Sequence, residues 1–233
     1  MIVVGTTIAA YKMAEESEWR SWLTHAEHMV MDARRNGHEI KWFCAIEVDR
    51  RGAAMFAPLI AELETLGGEH WTFSIDTKAE ALSSDERLFH ICEGRNLVTE
   101  FAMREAAAWI LHLDTDLVPD PDTFDKLLAL DHPVVGGDVP HYVLSGERVP
   151  GYDFPVEAHW NTAGYLLVAR DVFRRIRWRY DTWPKGTGTD DPSWAADVLQ
   201  FTGYVTLVRK DCVGMHRSLI PLEHRGHDLE IRR

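Results

Sequence analysis

Trp109-Ile110-Leu111-His112-Leu113-Asp114-Thr115-Asp116-Leu117-Val118-Pro119 is the stretch on which the reading of this chain turns. An apolar strand emerges at two carboxylates separated by one residue. In open α/β sheets, ligands bind beyond the carboxyl ends of the strands. Two carboxylates there repel one another unless a cation sits between or beside them. A divalent metal held by oxygen ligands, Mg²⁺ or Mn²⁺, is the economical explanation, and it would bridge to phosphate oxygens. The plainer alternative is that these acids cap the Pro119-Asp120-Pro121 turn. That suits Asp120 and Asp122, but it accounts poorly for Asp114, which follows an apolar strand.

Outward from this stretch, strands and helices alternate. Ile2–Ile8 reads as a buried strand ending in Gly5-Thr6-Thr7, and Glu15–Arg35 as a helix with Trp19, Trp22, Leu23, Ala26, Met29, Val30 and Ala33 at helical spacing. Ile40–Val48 is a second strand, Ala53–Leu66 a helix, and Trp71–Ile75 a third strand. Gly94–Ala108 is expected as a helix directly before the metal strand. Asp120-Pro121-Asp122 starts another helix, and Val134–Val135 runs into Gly136-Gly137. After residue 137, short strands, glycines and aromatics dominate until a helix at Pro192–Phe201 and two late strands, Tyr204–Val208 and Asp211–Gly214. This alternation predicts a single α/β domain with a mostly parallel, Rossmann-like sheet and helices on both faces. Its front half, 1–118, is nucleotide-binding-like and its back half, 119–217, is irregular and shapes the substrate; 218–233 is a polar tail.

Composition narrows the classes. The 233 residues carry 25 basic and 37 acidic side chains, a net charge of −12, with 45% hydrophobic residues. Such a chain buries a real core. The acidic balance disfavours tight binding along a nucleic-acid backbone. The arginines at 174, 175, 177 and 179 lie close together, either a local basic patch or, more plainly, a solvated helix end followed by an edge strand. Cys44, Cys92 and Cys212 contain no CxxC pair, so neither zinc nor a disulfide framework is expected, and Cys44 and Cys212 read as reduced core thiols. The N-terminus lacks the features of a signal peptide, and no apolar run approaches a bilayer span, so a cytoplasmic protein without a membrane anchor is expected.

In order along the chain, the opening strand with Thr6-Thr7, Gly94-Arg95-Asn96 opening the helix before the metal strand, Asp114-Thr115-Asp116, and Thr189-Asp190-Asp191 before a helix resemble the GT-A glycosyltransferases. The resemblance spans about residues 2–216 and is closest to soluble, one-domain members. It implies a single GT-A-like domain with an acceptor-side second half. Asp114-Thr115-Asp116 is similar to the family's DxD motif. The nucleotide would lie across the first strands, touching Thr6, Thr7 and Ile8, with Glu47 (or Asp49) reaching base or ribose. Arg95 and Asn96, at a helix start, would meet the diphosphate; a surface salt bridge of Arg95 to Glu93 or Glu100 is the alternative. Asp114 would bind ribose or a metal-bound water, and Asp116 the metal, with His216 after Gly214 as third ligand.

The implied chemistry is transfer of a sugar from a nucleotide diphosphate, UDP-sugar favoured, to an acceptor hydroxyl, with Mn²⁺ or Mg²⁺ stabilising the leaving diphosphate. Asp191, with Asp190 beside it, resembles the base of an inverting enzyme; the alternative is a helix cap. Trp160-Asn161, shortly before an apolar strand expected at Tyr165–Ala169, resembles the segment that shapes the sugar pocket, and Gly137 would lie beneath the donor sugar. Trp183, Gly186 and Gly188 suggest a lid. His25 and His28 are assigned to structure, and His224 and His227 to the surface. The acceptor is left open among protein, glycan, small molecule and modified nucleobase, and oligomeric state is not readable. Three rivals stand beside this reading. A sugar-phosphate nucleotidyltransferase should show a Gly-rich, basic loop after the first strand, where this chain has a lone Lys12. A haloacid-dehalogenase-type phosphatase would carry its acids on the first strand. A sugar-nucleotide-binding module without catalysis is the third.

Overall fold

Side chains of the first strands divide cleanly between two apolar layers. In β1 (Ile2–Ile8), Ile2, Val4 and Ile8 enter one cluster and Val3 the other; in β2 (Ile40–Glu47), Trp42, Cys44 and Ile46 oppose Phe43 and Ala45. A sheet apolar on both faces must be covered on both. The computed structural model describes residues 1–8, 16–48, 53–74, 84–139, 157–158, 164–179, 181–182 and 188–216, with the backbone alone for several of them, Asp190, Asp191 and His216 included. The remaining elements are α1 (Glu16–Arg35), a 3-10 turn (Ala53–Phe56) leading into α2 (Ala57–Thr65), β3 (Gly68–Phe73), α3 (Ser84–Arg104), β4 (Trp109–Leu113), β5 (Leu117–Val118) and α4 (Thr123–Leu128). They continue with β6 (Val134–Asp138), β7 (Glu157–Ala158), β8 (Tyr165–Ala169), α5 (Arg170–Phe173), β9 (Asp181–Thr182), β10 (Gly188–Thr189), α6 (Asp190–Thr202), β11 (Thr206–Val213) and β12 (Met215–His216).

Eight strands form one sheet in the order β3-β2-β1-β4-β8-β6-β11-β7. β3, β2, β1 and β4 are parallel, as are β6 and β11. β8 runs antiparallel between β4 and β6, and β7 antiparallel to β11. One face is covered by α1, α2 and α4 through residues such as Trp22, Leu59 and Phe124; the other is covered by α3, α5 and α6 through Val98, Phe101, Phe173 and Val198. Each large apolar side chain so buried contributes roughly 1.5–3 kcal/mol. All three cysteines are buried, and none is in a disulfide. Among the described residues no helix is long and apolar enough to cross a membrane.

Several expectations are corrected. α3 begins at Ser84, so Gly94-Arg95-Asn96 lies inside the helix and does not open it. The helix-end potential invoked for Arg95 is therefore lost. Glycine inside a helix costs about 1 kcal/mol against alanine, which is why it read as a boundary. Here a Cβ on Gly94 would sit 2.2 Å from Thr7 Cγ2, so the glycine is what lets α3 lie on β1. β3 starts at Gly68 rather than Trp71, because Gly67, with φ +74°, ends α2 and the chain turns at once into the sheet. The two late strands are one, β11, with a register shift between Arg209 and Val213. The arginine run follows a four-residue helix, and no strand covers 174–179; Arg177 pairs with Glu100 and Arg179 with Asp197.

Candidate functional site

β4 delivers Asp114 to the carboxyl edge of the sheet. Its N–H donates to the Gly164 carbonyl at 2.8 Å, fixing the turn against the start of β8. A Cβ on Gly164 would fall 2.4 Å from Asp114 Oδ2, so glycine makes room for the carboxylate. Arg95 Nη2 reaches both carboxylate oxygens, at 3.2 and 3.4 Å. The arginine side chain is 5% exposed and the aspartate 32%, so a buried cation meets an acid that opens to solvent. Glu100, one of the two acids considered as its surface partner, is held by Arg177. Thr115 is buried and Asp116 half-buried on the same turn. β12 pairs antiparallel with β5, placing His216 opposite Leu117, one position beyond Asp116. Directly opposed residues in such a pair have Cα atoms about 4.5–5.5 Å apart. The backbone thus brings His216 beside the Asp-Thr-Asp turn.

α3 meets three strand ends at once. Val98 packs on Gly5, Gly94 on Thr7, and Arg95 reaches Asp114. One turn earlier, His90 Nδ1 hydrogen-bonds Glu47 at the end of β2; both side chains are buried. Thr7 and Glu47 therefore share the α3 face with Asp114. The side chain of Ile8 is fully buried in the opposite layer, which leaves only its backbone for a ligand. The hydroxyls of Thr6 and Thr7 and Nε2 of His90 are buried without a hydrogen-bond partner among the described residues. Each such group costs roughly 1–3 kcal/mol, so a ligand or rearrangement that satisfies them has a free-energy reward. His90 escaped the sequence reading, although its place four residues before Gly94 puts it on the same helical face.

Asn96 differs from expectation. Its amide donates to the Trp178 carbonyl at 3.0 Å, and its oxygen accepts from the Trp178 N–H at 2.9 Å. Its two functional ends are committed to the Trp178 backbone. The Trp178 ring in turn lies 4.8 Å beneath the Arg95 guanidinium, stacks on Trp194 at 4.6 Å, and meets the His112 ring edge-on at 5.1 Å. Burial and then the Arg95 charge push the His112 imidazole down to about 3, so it stays neutral beside the arginine. Trp194 belongs to the opening of α6, whose backbone begins at Asp190 and Asp191.

Gly137 has a packing role. A Cβ there would lie 2.1 Å from the Tyr165 ring, whose hydroxyl hydrogen-bonds Thr123 and Cys212. Asp120 and Asp122 both hold Lys126, at 2.5 and 2.8 Å, at the start of α4, in keeping with a turn-forming part. Asp49, Trp160, Asn161, Trp183 and Gly186 lie outside the described residues. Among the described residues no cluster of three His, Cys, Asp or Glu side chains is arranged as a metal site; the His216 imidazole is not part of that description.

No family model matches the sequence, and no curated protein matches it. Solved structures do. A nucleoside-diphosphate-sugar pyrophosphorylase from Vibrio cholerae RC9 aligns over 92% of each chain at 10% identity, with a TM-score of 0.51. The galactosyltransferase LgtC, in complex with donor and acceptor sugar analogues, aligns over 92% of this chain and 73% of that one at 17% identity and a TM-score of 0.46. A glycosyltransferase involved in glycosylation of the major capsid of PBCV-1 aligns over 97% and 96% at 10% identity and a TM-score of 0.41. The first of these, with the sheet order above, shows the expected α/β fold with a mostly parallel central sheet.

Proposed function

We propose that the chain is a cytoplasmic, metal-dependent glycosyltransferase that moves a sugar from a nucleotide-diphosphate donor, a UDP-sugar in the first instance, to an acceptor hydroxyl with inversion. The observation that carries this reading is the Arg95–Asp114 pair at the carboxyl end of β4, with Asp116 on the same turn. The residues present fit a divalent cation: a carboxylate at Asp116, a second at Asp114, and His216 brought next to Asp116 by strand pairing. Oxygen and imidazole donors of this kind suit Mn²⁺ or Mg²⁺. Bound there, the ion would act as a Lewis acid on the diphosphate.

The chain's own residues do the rest. Thr7 and Glu47, with His90 behind Glu47, line the strand ends where base and ribose would lie. Arg95 places a fixed positive charge beside the departing diphosphate. Because Asp114 already balances that charge, the arginine is held in place before donor arrives, which avoids reorganisation during reaction. Asp191 takes the proton of the acceptor hydroxyl as the new bond to the anomeric carbon forms. The old bond to the β-phosphate oxygen breaks, and its electron pair leaves with the nucleoside diphosphate. Trp160, Asn161 and Gly137 are proposed for the sugar pocket. The acceptor stays among protein, glycan, small molecule and modified nucleobase.

A second reading, sugar-phosphate nucleotidyltransfer, is favoured by the pyrophosphorylase likeness over 92% of both chains and disfavoured by the lone Lys12 after β1. One experiment separates them. Nucleoside diphosphates are screened by thermal shift with and without Mn²⁺, and turnover is followed with UDP-sugars and, separately, with pyrophosphate. A ligand at a hundredfold excess over its Kd stabilises by about 2.7 kcal/mol. Manganese-dependent stabilisation by UDP, with release of UDP from a UDP-sugar, supports the transferase. Formation of UTP from UDP-sugar and pyrophosphate supports the second reading. If no nucleotide shifts the melt under either condition, both readings fall. Asp191→Asn should keep UDP binding and lose turnover; unchanged turnover would remove Asp191 from the mechanism, and a wild type that binds without turnover would mark a binding module.

A further inference from the structure

The diphosphate end of the site and the acid pair at the start of α6 lie on separate elements, joined in sequence by segments that include 183–187. In space they are linked through one side chain. Trp178 is 3% exposed, and its backbone is clamped on both sides by Asn96 of α3. Its indole touches the Arg95 guanidinium and stacks on Trp194 with the two planes 9° apart. Trp194 is the third residue after Asp191, about one turn along the backbone of α6. The edge contact with His112 of β4 fixes the ring from a third direction. Both aromatic rings are nearly fully buried, so neither is placed to touch a substrate.

We propose that Trp178 is a positioning residue that couples the Arg95–Asp114 pair to the first turn of α6, so that the donor-phosphate end and the Asp190–Asp191 end of the cleft are held in register. This rests on the proposed function only for what the two ends do; the mechanical coupling stands on the contacts. A guanidinium over an indole face is attracted by the ring's electrons. Loss of the face takes one support from Arg95 and removes the surface on which α6 begins. A small displacement of a positioned group is enough to cost about 100-fold in rate.

The test uses the full chain, with Trp178→Leu and Trp178→Phe, each checked for folding by circular dichroism. Amide hydrogen exchange over 188–194 is read without any ligand. Hydrolysis of UDP-glucose in Mn²⁺, with water as acceptor, gives kcat and KM. In Trp178→Leu, exchange over 188–194 should rise by about tenfold while β1 and β4 keep their protection. Turnover should fall by about 100-fold with KM for the donor changed by less than about threefold. Trp178→Phe, which keeps an aromatic face, should restore most of both. Unchanged exchange over 188–194 in the leucine variant overturns the coupling. So does phenylalanine behaving no better than leucine, or a rise in exchange spread evenly over the sheet, because a merely structural role predicts either. If Trp178→Leu does not fold, Trp194→Leu removes the same stack from the α6 side and is judged by the same readings. A wild type that neither binds UDP nor turns over UDP-glucose counts against the transferase reading alone, since the exchange arm still decides the coupling.

Discussion

Asp114 is the residue whose surroundings say most about the site. It accepts a buried arginine and is hemmed in by Gly164, whose missing Cβ would lie 2.6 Å from its Cγ. Gly164→Ala therefore presses on a short, partly exposed side chain rather than on backbone. The expected outcome is displacement of the carboxylate, with a fall in UDP affinity of tenfold or more, whereas folding is weakened by only about 1–3 kcal/mol. Isothermal titration with UDP and Mn²⁺ beside a urea melt checks both. Affinity lost merely in step with stability would place Asp114 outside the site. The place of Asp114 and Asp116 just beyond a buried strand was legible in the sequence, because an apolar run broken by two acids marks where such a strand ends. Arg95 was legible as a residue but not in its setting: its partner stands 19 positions away, and no local pattern announces such a pair. Trp178 carried no signal, since a buried tryptophan looks like any other until the partner elements are known, and His90 carried only its helical spacing from Gly94.

Among the elements, β8 is the one that local pattern placed well and topology did not. Its range, Tyr165–Ala169, matches the expected strand, yet it enters antiparallel between β4 and β6. A run of apolar residues tells that a strand is buried but not which way it points. Its first residue holds it there. The Tyr165 hydroxyl receives the Asp120 N–H at 3.3 Å, bonds Thr123, and meets Cys212 Sγ at 3.3 Å. Burial raises both ionisations, the thiol to about 11, so this is a neutral network at physiological pH. Tyr165→Phe leaves the Asp120 amide without this acceptor. It should cost about 1–3 kcal/mol, read as a lower urea midpoint at an unchanged slope. The helix boundaries were the weakest part of the reading, because the interior glycine at 94 resembles a stop until β1 is seen pressed against it.

At the scale of the whole molecule, one buried titratable group gives folding a pH dependence of known sign. His112 is neutral in the folded protein down to about pH 3 and ordinary, near 6.5, when unfolded. Its contribution is fully present above about 6.5 and is lost as pH falls toward 3, because only the unfolded chain then takes up the proton. The slope is at most about 1.4 kcal/mol per pH unit. Urea melts at pH 7, 6, 5 and 4 should show stability falling more steeply for the wild type than for His112→Gln; parallel curves would mean that the imidazole is hydrated or paired. The placement of α3 has a consequence for how the chain tolerates change in length. Three strands are gauged against a single rod, with residues 90, 94 and 95 each answering to a different strand end. One extra residue between positions 90 and 94 would turn everything on one side of it by about 100°, and no single slide of the helix could satisfy all three strand ends again. Natural variants of this chain should accept insertions in the stretches that join the elements and reject even a one-residue gain within that turn of helix.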